Sequence, residues 1–491
     1  MMDETFKSGT CHIGGVWQAG DGAEFSSYDP SDQAQIWQGH AASNADVDVA
    51  FKAARAAFIT WSQTSVEARK EIVLRFQELA KAKKNEIAAL ISRETGKLLW
   101  DTKGEAGALS GKVDTSLKSY DERTGTSLTP TAFGSAALQH RPHGVMAVLG
   151  PYNFPAHLPN GQILPAIIAG NTVVFKPSEH TPAVGEALVA LYHAAGFPPG
   201  VINLVQGTRS TGAAMLSHPD VDGVLFTGSA SGGAAIHKMF GGRPEIVLAL
   251  EMGGNNPLIV WDVKDAEAAA LIAAQSAFMT SGQRCTCTRR LILPDNASGQ
   301  AVIERLKAVT ERLVLGAWDS SGEVNIGPLV SADVADQVVK AAVGLKTRGA
   351  KVLREAKIAP NGPAFVMPGL YDVSGCHMED AEIFGPVLQI ISVPDWDAAI
   401  ETANATRFGL AAGLVSDDAA LWDDFRARIR AGVVNFNRPT TGAAGFLPFG
   451  GPGASGNHNP GAYYTADFCA WPMASQISER VENMPFPGRP V

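Results

Sequence analysis

The sequence predicts an α/β protein of two parallel-sheet domains with a small extended element attached. Three observations carry this prediction. The chain has 491 residues, 45% hydrophobic and 18% charged, a globular composition with length for about three units of ordinary domain size. Past residue 144, short apolar runs alternate with helical stretches, the pattern of a parallel sheet covered by helices on both faces. That series occurs twice, with no internal repeat or low-complexity tract.

Taken in order, residues 43–96 read as helix. Val47, Phe51, Ala54 and Phe58 recur at i, i+4, i+7 and i+11, and Gly96 stands where a second long helix stops. Between 120 and 143 a stretch rich in Thr, Gly and Pro breaks that periodicity, which predicts an extended excursion or hairpin and a place for subunits to touch. Apolar runs at 145–149, 172–175, 201–205, 224–227 and 246–250 form the first strand series. One helix among them is spelled out by Thr181 as N-cap, Pro182 at its first position, apolar Val184, Leu188, Leu191 and Ala195, and Gly196 as stop. The second series lies near 257–261, 290–293, 389–393, 413–416 and 433–436.

A formal net charge of -9 argues against a nucleic-acid-binding surface, which needs clustered Lys and Arg. Any anionic substrate must then meet a local cation. Five scattered cysteines make a poor disulfide framework and fit a reducing compartment. The first 14 residues lack the apolar stretch of a signal peptide, and no run approaches the ~18 apolar residues of a membrane helix, so the expected location is cytoplasmic.

Three short segments carry chemistry. Gly282-Gln283-Arg284-Cys285 follows the apolar helix pattern of 266–278, which puts Cys285 at a helix-to-loop junction. Taken alone, Cys285 fits an inert thiol, and Cys287 makes a C-x-C pair with no His or Cys cluster to complete a metal site, so no metal is expected. Glu251 closes the run 246–250 and enters a glycine turn, where carboxylates of open α/β sheets face a ligand crevice; alone it also fits a salt-bridged acid. Asn153, in Pro151-Tyr152-Asn153-Phe154-Pro155, follows another strand and can donate a hydrogen bond without titrating; alone it also fits a turn former.

Together with Phe175-Lys176-Pro177-Ser178-Glu179, Phe226-Thr227-Gly228-Ser229 and Glu382-Ile383-Phe384-Gly385-Pro386, these segments resemble, in order, the signature motifs of the aldehyde dehydrogenase superfamily over residues 14–471. The resemblance implies that Cys285 is the nucleophile, that Asn153 and the Cys285 amide hold the oxyanion, and that Glu251 is the general base for thioester hydrolysis. It implies NAD as cofactor. Lys176 and Glu179 would grip a ribose, where a carboxylate repels a 2′-phosphate; Gly228, Ser229, Gly232 and Gly233 would open a helix toward the pyrophosphate; Glu382 and Phe384 would reach the nicotinamide ribose and ring. On this basis 1–119 and 144–252 form the NAD-binding domain, 253–445 the catalytic domain, and 120–143 with 446–491 the oligomerisation and bridging segments of a homodimer or dimer of dimers.

The stretches 282–287, 435–442 and 454–458 narrow the resemblance to a branch whose semialdehyde carries two carboxylates. Arg438 is the cation suited to one of them, with a structural arginine as the other reading, and His157 is a weaker candidate at the substrate mouth. The wording departs from the usual family pattern at Met252, Asn255-Asn256 and Cys287, none of which replaces a residue assigned to chemistry. Gly451-Pro452-Gly453-Ala454-Ser455-Gly456 satisfies G-x-G-x-x-G, but no strand is expected before it and Asn457-His458-Asn459-Pro460 opens no helix, so it reads as a loop. A thioester-to-thiol acyl transferase is disfavoured by Glu251, a silent binding protein by the retained Cys285, Glu251 and Asn153, and an esterase by the cofactor motifs.

Overall fold

A computed structural model describes residues 9–132, 134–481 and 488. Its first sheet has seven strands in the order Val247–Met252, Gly223–Gly228, Val145–Leu149, Thr172–Lys176, Ile202–Leu204, Cys11–Ile13, Val16–Gln18. Five are mutually parallel, and the N-terminal hairpin closes one edge antiparallel. All residues of Val145–Leu149 are buried because helices cover both faces. Met146 and Val148 face one apolar layer, shared with helices Val66–Ala82, Lys84–Thr95, Leu99–Arg123, His157–Ala169 and Pro182–Ala194. Val145, Ala147 and Leu149 face the other, shared with Asn44–Trp61, Arg209–Leu216 and Ala230–Met239. After Val145–Leu149 the chain adds strands on one side, then crosses to Gly223–Gly228 on the other. Such a reversal opens a crevice beyond the C-terminal strand ends.

Residues 253–255 lead straight into the second sheet, ordered Lys351–Arg354, Gly369–Asp372, Val387–Val393, Thr288–Pro294, Asn256–Val260, Ala411–Val415, Val433–Phe436. Its strands are parallel except the 351–354 edge. A separate antiparallel sheet joins Ser127–Thr131, Gly134–Pro142 and Ala470–Ile477.

Several local expectations need correction. Helix Leu99–Arg123 runs four residues, 120 to 123, into the stretch expected to be extended. Its glycines Gly104, Gly107 and Gly111 are poor helix formers that mask its period, and packing on its buried face overrides them. The hairpin Cys11–Ile13/Val16–Gln18 and the strands at 351–354 and 369–372 are too short to show a pattern. Thr181 stands at the N-cap but makes no capping bond, and its hydroxyl is buried without a partner. The Glu94 carboxylate takes over, accepting the Ala183 and Val184 amides at 3.0 and 2.8 Å; burial lifts Glu94 to about 7.

Candidate active site

Helix Ala266–Phe278 does not hand over directly to a loop: a tight turn, Met279–Gly282, intervenes. Thr280, Ser281 and Gly282 all lie in the left-handed region, at φ of 55°, 55° and 75°. For a β-branched threonine this costs about 1–3 kcal/mol, so something must hold it. Thr280 Oγ1 donates to Asp101 Oδ2 at 2.5 Å, Ser281 Oγ donates to the Gly327 carbonyl at 2.7 Å, and Arg284 joins Thr280 and Asp101 at 2.8 and 2.7 Å. Gly282 has no alternative, since a Cβ there would lie 2.2 Å from the Gly385 carbonyl oxygen.

That turn presents Cys285, which is half-buried, while Cys287 is fully buried with its thiol toward the Met279 carbonyl. Asn256 Nδ2 donates to the carbonyls of Cys285 and Cys287 at 2.7 and 2.9 Å, and Arg289 to those of Gly282 and Arg284. The sulfur's direction is thus set from the backbone. Burial, then the charges of Glu382 and Glu251, push the Cys285 thiol up to about 12. Among the described residues no group of three or more His, Cys, Asp or Glu is arranged to hold a metal.

Asn153 arrives from the other side. It lies beyond Val145–Leu149, is buried, and its Nδ2 donates to the Gln283 carbonyl at 3.0 Å, two residues before Cys285. Its own carbonyl accepts from Lys97 Nζ at 3.0 Å; Lys97 pairs with Glu105 at 2.7 Å, and Glu105 accepts the amides of Ala156 and His157 at the start of helix His157–Ala169. One amide proton bonds to Gln283, and the other is available to an oxyanion. Asn153→Ala is expected to lower kcat about 10²- to 10³-fold in a protein that still folds, its melting temperature falling modestly with the loss of the Gln283 bond. An effect confined to KM would remove the residue from the oxyanion role.

Glu251 is the penultimate residue of strand Val247–Met252. Oε1 accepts the Gly461 amide at 2.9 Å, while Oε2 is buried without a partner, and burial raises the carboxyl to about 8. A buried carboxylate oxygen left open suits a group that must accept a proton from a water or a reacting molecule.

The crevice at the strand reversal carries the other expected residues. Lys176 Nζ donates to the carbonyls of Pro177 and Gly207, both at 2.7 Å, with the exposed Glu179 carboxylate 3.7 Å away; burial lowers Lys176 to about 8. Gly228 ends its strand, and Ser229 caps helix Ala230–Met239 by accepting the Gly232 amide at 3.1 Å. The amides of Ala230 and Ser231 have no intrahelical partner, as at any helix start. A Cβ on Gly233 would lie 2.2 Å from the Met252 sulfur, so Gly233 lets this helix settle on the strand that carries Glu251. Glu382 is folded back: Arg289 Nη2 donates to its Oε1 at 3.1 Å, and a Cβ on Gly253 would lie 1.7 Å from its Oε2. Phe384 stands beside it under the Arg289 guanidinium, 5.3 Å away. These features suit a dinucleotide: a strand reversal, a capped helix start with open amides, and a lysine beside an exposed carboxylate.

Arg438 is exposed, just past strand Val433–Phe436, and makes no hydrogen bond or ion pair with the described residues. His157 begins its helix with Nδ1 buried and unpartnered; burial and the charges of Lys112 and Lys97 lower it to about 3, so the imidazole is neutral.

The profile of the aldehyde dehydrogenase family matches residues 17–471, most of the chain. The chain belongs to the aldehyde dehydrogenase family. It is 53% identical over 478 residues to the N-succinylglutamate 5-semialdehyde dehydrogenase of a Caulobacter species, covering 97% of this chain and 98% of that one. It is 50% identical over 471 residues to the protein of the same name from Paraburkholderia xenovorans, covering 96% and 97%. Among solved structures, the 1-pyrroline-5-carboxylate dehydrogenase from Thermus with bound NAD superposes with a TM-score of 0.90 at 28% identity, over 96% of this chain and 93% of that one.

As an aldehyde dehydrogenase, the chain uses more residues at its centre than its motifs announce. Asn256 and Arg289 orient the cysteine loop, and Lys97, Asp101 and Glu105 hold the two loops together. Signals for them existed: Asp101 and Glu105, four apart, share one helical face, with Lys97 just ahead of that helix, and Arg289 adjoins an apolar strand where a charge needs a reason.

Proposed function

We propose that this chain oxidises N-succinylglutamate 5-semialdehyde to N-succinylglutamate with NAD, a step of arginine catabolism. The observation that carries the chemistry is the convergence on one thiol: Asn153 bonds two residues before Cys285, and the charges of Glu251 and Glu382 both reach its sulfur. The substrate rests on relatives of that name at 50–53% identity over nearly the full chain.

The Cys285 thiol gives up its proton to water in the crevice as its sulfur adds to the aldehyde carbon, and the oxyanion so formed accepts from Asn153 Nδ2 and the Cys285 amide. NAD, when bound along Lys176, Glu179, Gly228 and Ser229, would supply the hydride acceptor, and loss of the former aldehyde hydrogen as hydride turns the adduct into the Cys285 thioester. Glu251 then draws a proton from the water that attacks the thioester, releasing the acid and the thiol. Residues 1–119 with 144–252 serve the cofactor and 253–445 the chemistry. The extended sheet from 120–143 and 446–491 makes the oligomer contact, supported by strand Ser127–Thr131, which is exposed at every position. No described helix is long and apolar enough to cross a membrane, and a cytoplasmic location fits the free cysteines.

The test is NADH formation from N-succinylglutamate, glutamate and succinate semialdehydes, with NAD and NADP compared. The first substrate with NAD should give the highest kcat/KM; equal use of all three would overturn the assignment. Arg438 is the outer carboxylate contact in this proposal. Arg438→Leu is expected to raise KM for the succinylated substrate about 10-fold or more relative to an uncharged aldehyde, and equal changes would remove it from the site.

A further inference from the structure

Three lysines are buried among the described residues, and two have evident partners. Lys97 holds Glu105 and the Asn153 carbonyl, and Lys176 holds two carbonyls and faces Glu179. Lys112, on helix Leu99–Arg123, is only 6% exposed and has no hydrogen bond or ion pair with any described residue. Burial alone lowers it to about 8, with no acid contributing. An ammonium in that state is costly to keep.

Its surroundings are those of a site. Gly161, one turn into the facing helix, leaves the space that the lysine tip fills: a Cβ there would lie 3.1 Å from Cε and 3.7 Å from Nζ. One helical turn along from Lys112, the Ser116 hydroxyl is buried without a partner, and so is Nδ1 of His157, four residues before Gly161. An ammonium, a hydroxyl and a neutral imidazole therefore stand open together, and among the described residues no carboxylate answers them.

The location relates this cluster to the reaction. His157 heads the helix that follows the Asn153 loop, and both share the Lys97–Glu105 pair. On the other side Ser119, two turns beyond Lys112, donates to the Tyr463 carbonyl at 2.5 Å, two residues from Gly461, which binds Glu251. The cluster is thus bracketed by the oxyanion donor and the support of the general base.

We propose that Lys112, with Ser116 and His157, binds a carboxylate of the aldehyde substrate and so selects anionic semialdehydes. This rests on the substrate reading above. A carboxylate offers acceptor sites for all three groups, and its charge completes a buried ion pair that the free protein lacks.

The test uses the full-length enzyme with saturating NAD. Lys112→Met keeps length and apolar bulk, and is expected to raise KM for N-succinylglutamate semialdehyde about 10- to 100-fold more than KM for butanal. Lys112→Arg should recover part of that ratio. Binding of the product N-succinylglutamate, followed by calorimetry, should weaken in parallel, which a merely structural lysine would not cause. A folded Lys112→Met enzyme, judged by its melting curve, whose two KM values move together would overturn the proposal. Wild-type enzyme that prefers the succinylated substrate while Lys112→Met keeps the same preference also overturns it and leaves the substrate assignment standing. If wild-type enzyme shows no preference for anionic over uncharged aldehydes, the substrate assignment itself fails and takes this inference with it.

Discussion

Cys285→Ala is expected to abolish aldehyde oxidation, with kcat falling by about 10⁴-fold or more, since loss of a covalent nucleophile leaves only binding and oxyanion stabilisation. Cys287→Ala should keep most of the activity. The two thiols sit two residues apart, yet Cys287 is buried against the Met279 carbonyl while Cys285 retains access. Steady-state NADH production by both variants, with melting curves for each, reads the difference. A dead Cys287 variant beside an active Cys285 variant would transfer the nucleophile to position 287.

Glu251→Gln should separate the two halves of the reaction. In the proposed mechanism acylation leaves this carboxylate untouched, so a burst of NADH close to one per active site should persist, while steady turnover falls about 10²- to 10⁴-fold. The pH dependence has a definite sign. The base must be deprotonated, and burial holds the Glu251 carboxyl up near 8. The carboxylate fraction, and with it the hydrolysis rate, therefore rises as pH increases through about 8 in the wild type. The glutamine variant should lose that limb. Absence of any burst would place Glu251 in the first half-reaction instead.

The fold was legible where burial imposes a pattern. The runs at 145–149 and 173–175 are apolar because helices cover both faces of the sheet, and the structure adds Thr172 and Lys176 at the ends of the second. It was hidden where tertiary contacts do the work of local signals. Helix Leu99–Arg123 is threaded with glycine, and helix Pro182–Ala194 is capped by Glu94 from another helix. At the site, Cys285, Asn153 and Glu251 were readable because each lies in a motif at a strand or helix end. Lys112 was not, because a lysine in a polar helical stretch reads as surface; the facing Gly161 and the lack of a counter-ion among the described residues reveal it. The back-folded Glu382 was also beyond reach, since its pairing with Arg289 joins residues 93 positions apart.

The bond from Asp101 to the turn at 280 has a consequence for how the enzyme comes into being. The two residues are 179 positions apart, on different sheet units. A chain still leaving the ribosome carries residue 285 as an ordinary thiol on a relaxed loop, and the left-handed bend that aims it cannot persist until the earlier helix docks. Aim is therefore a property of the completed fold: until the earlier helix has docked, the sulfur has no fixed direction toward a bound aldehyde.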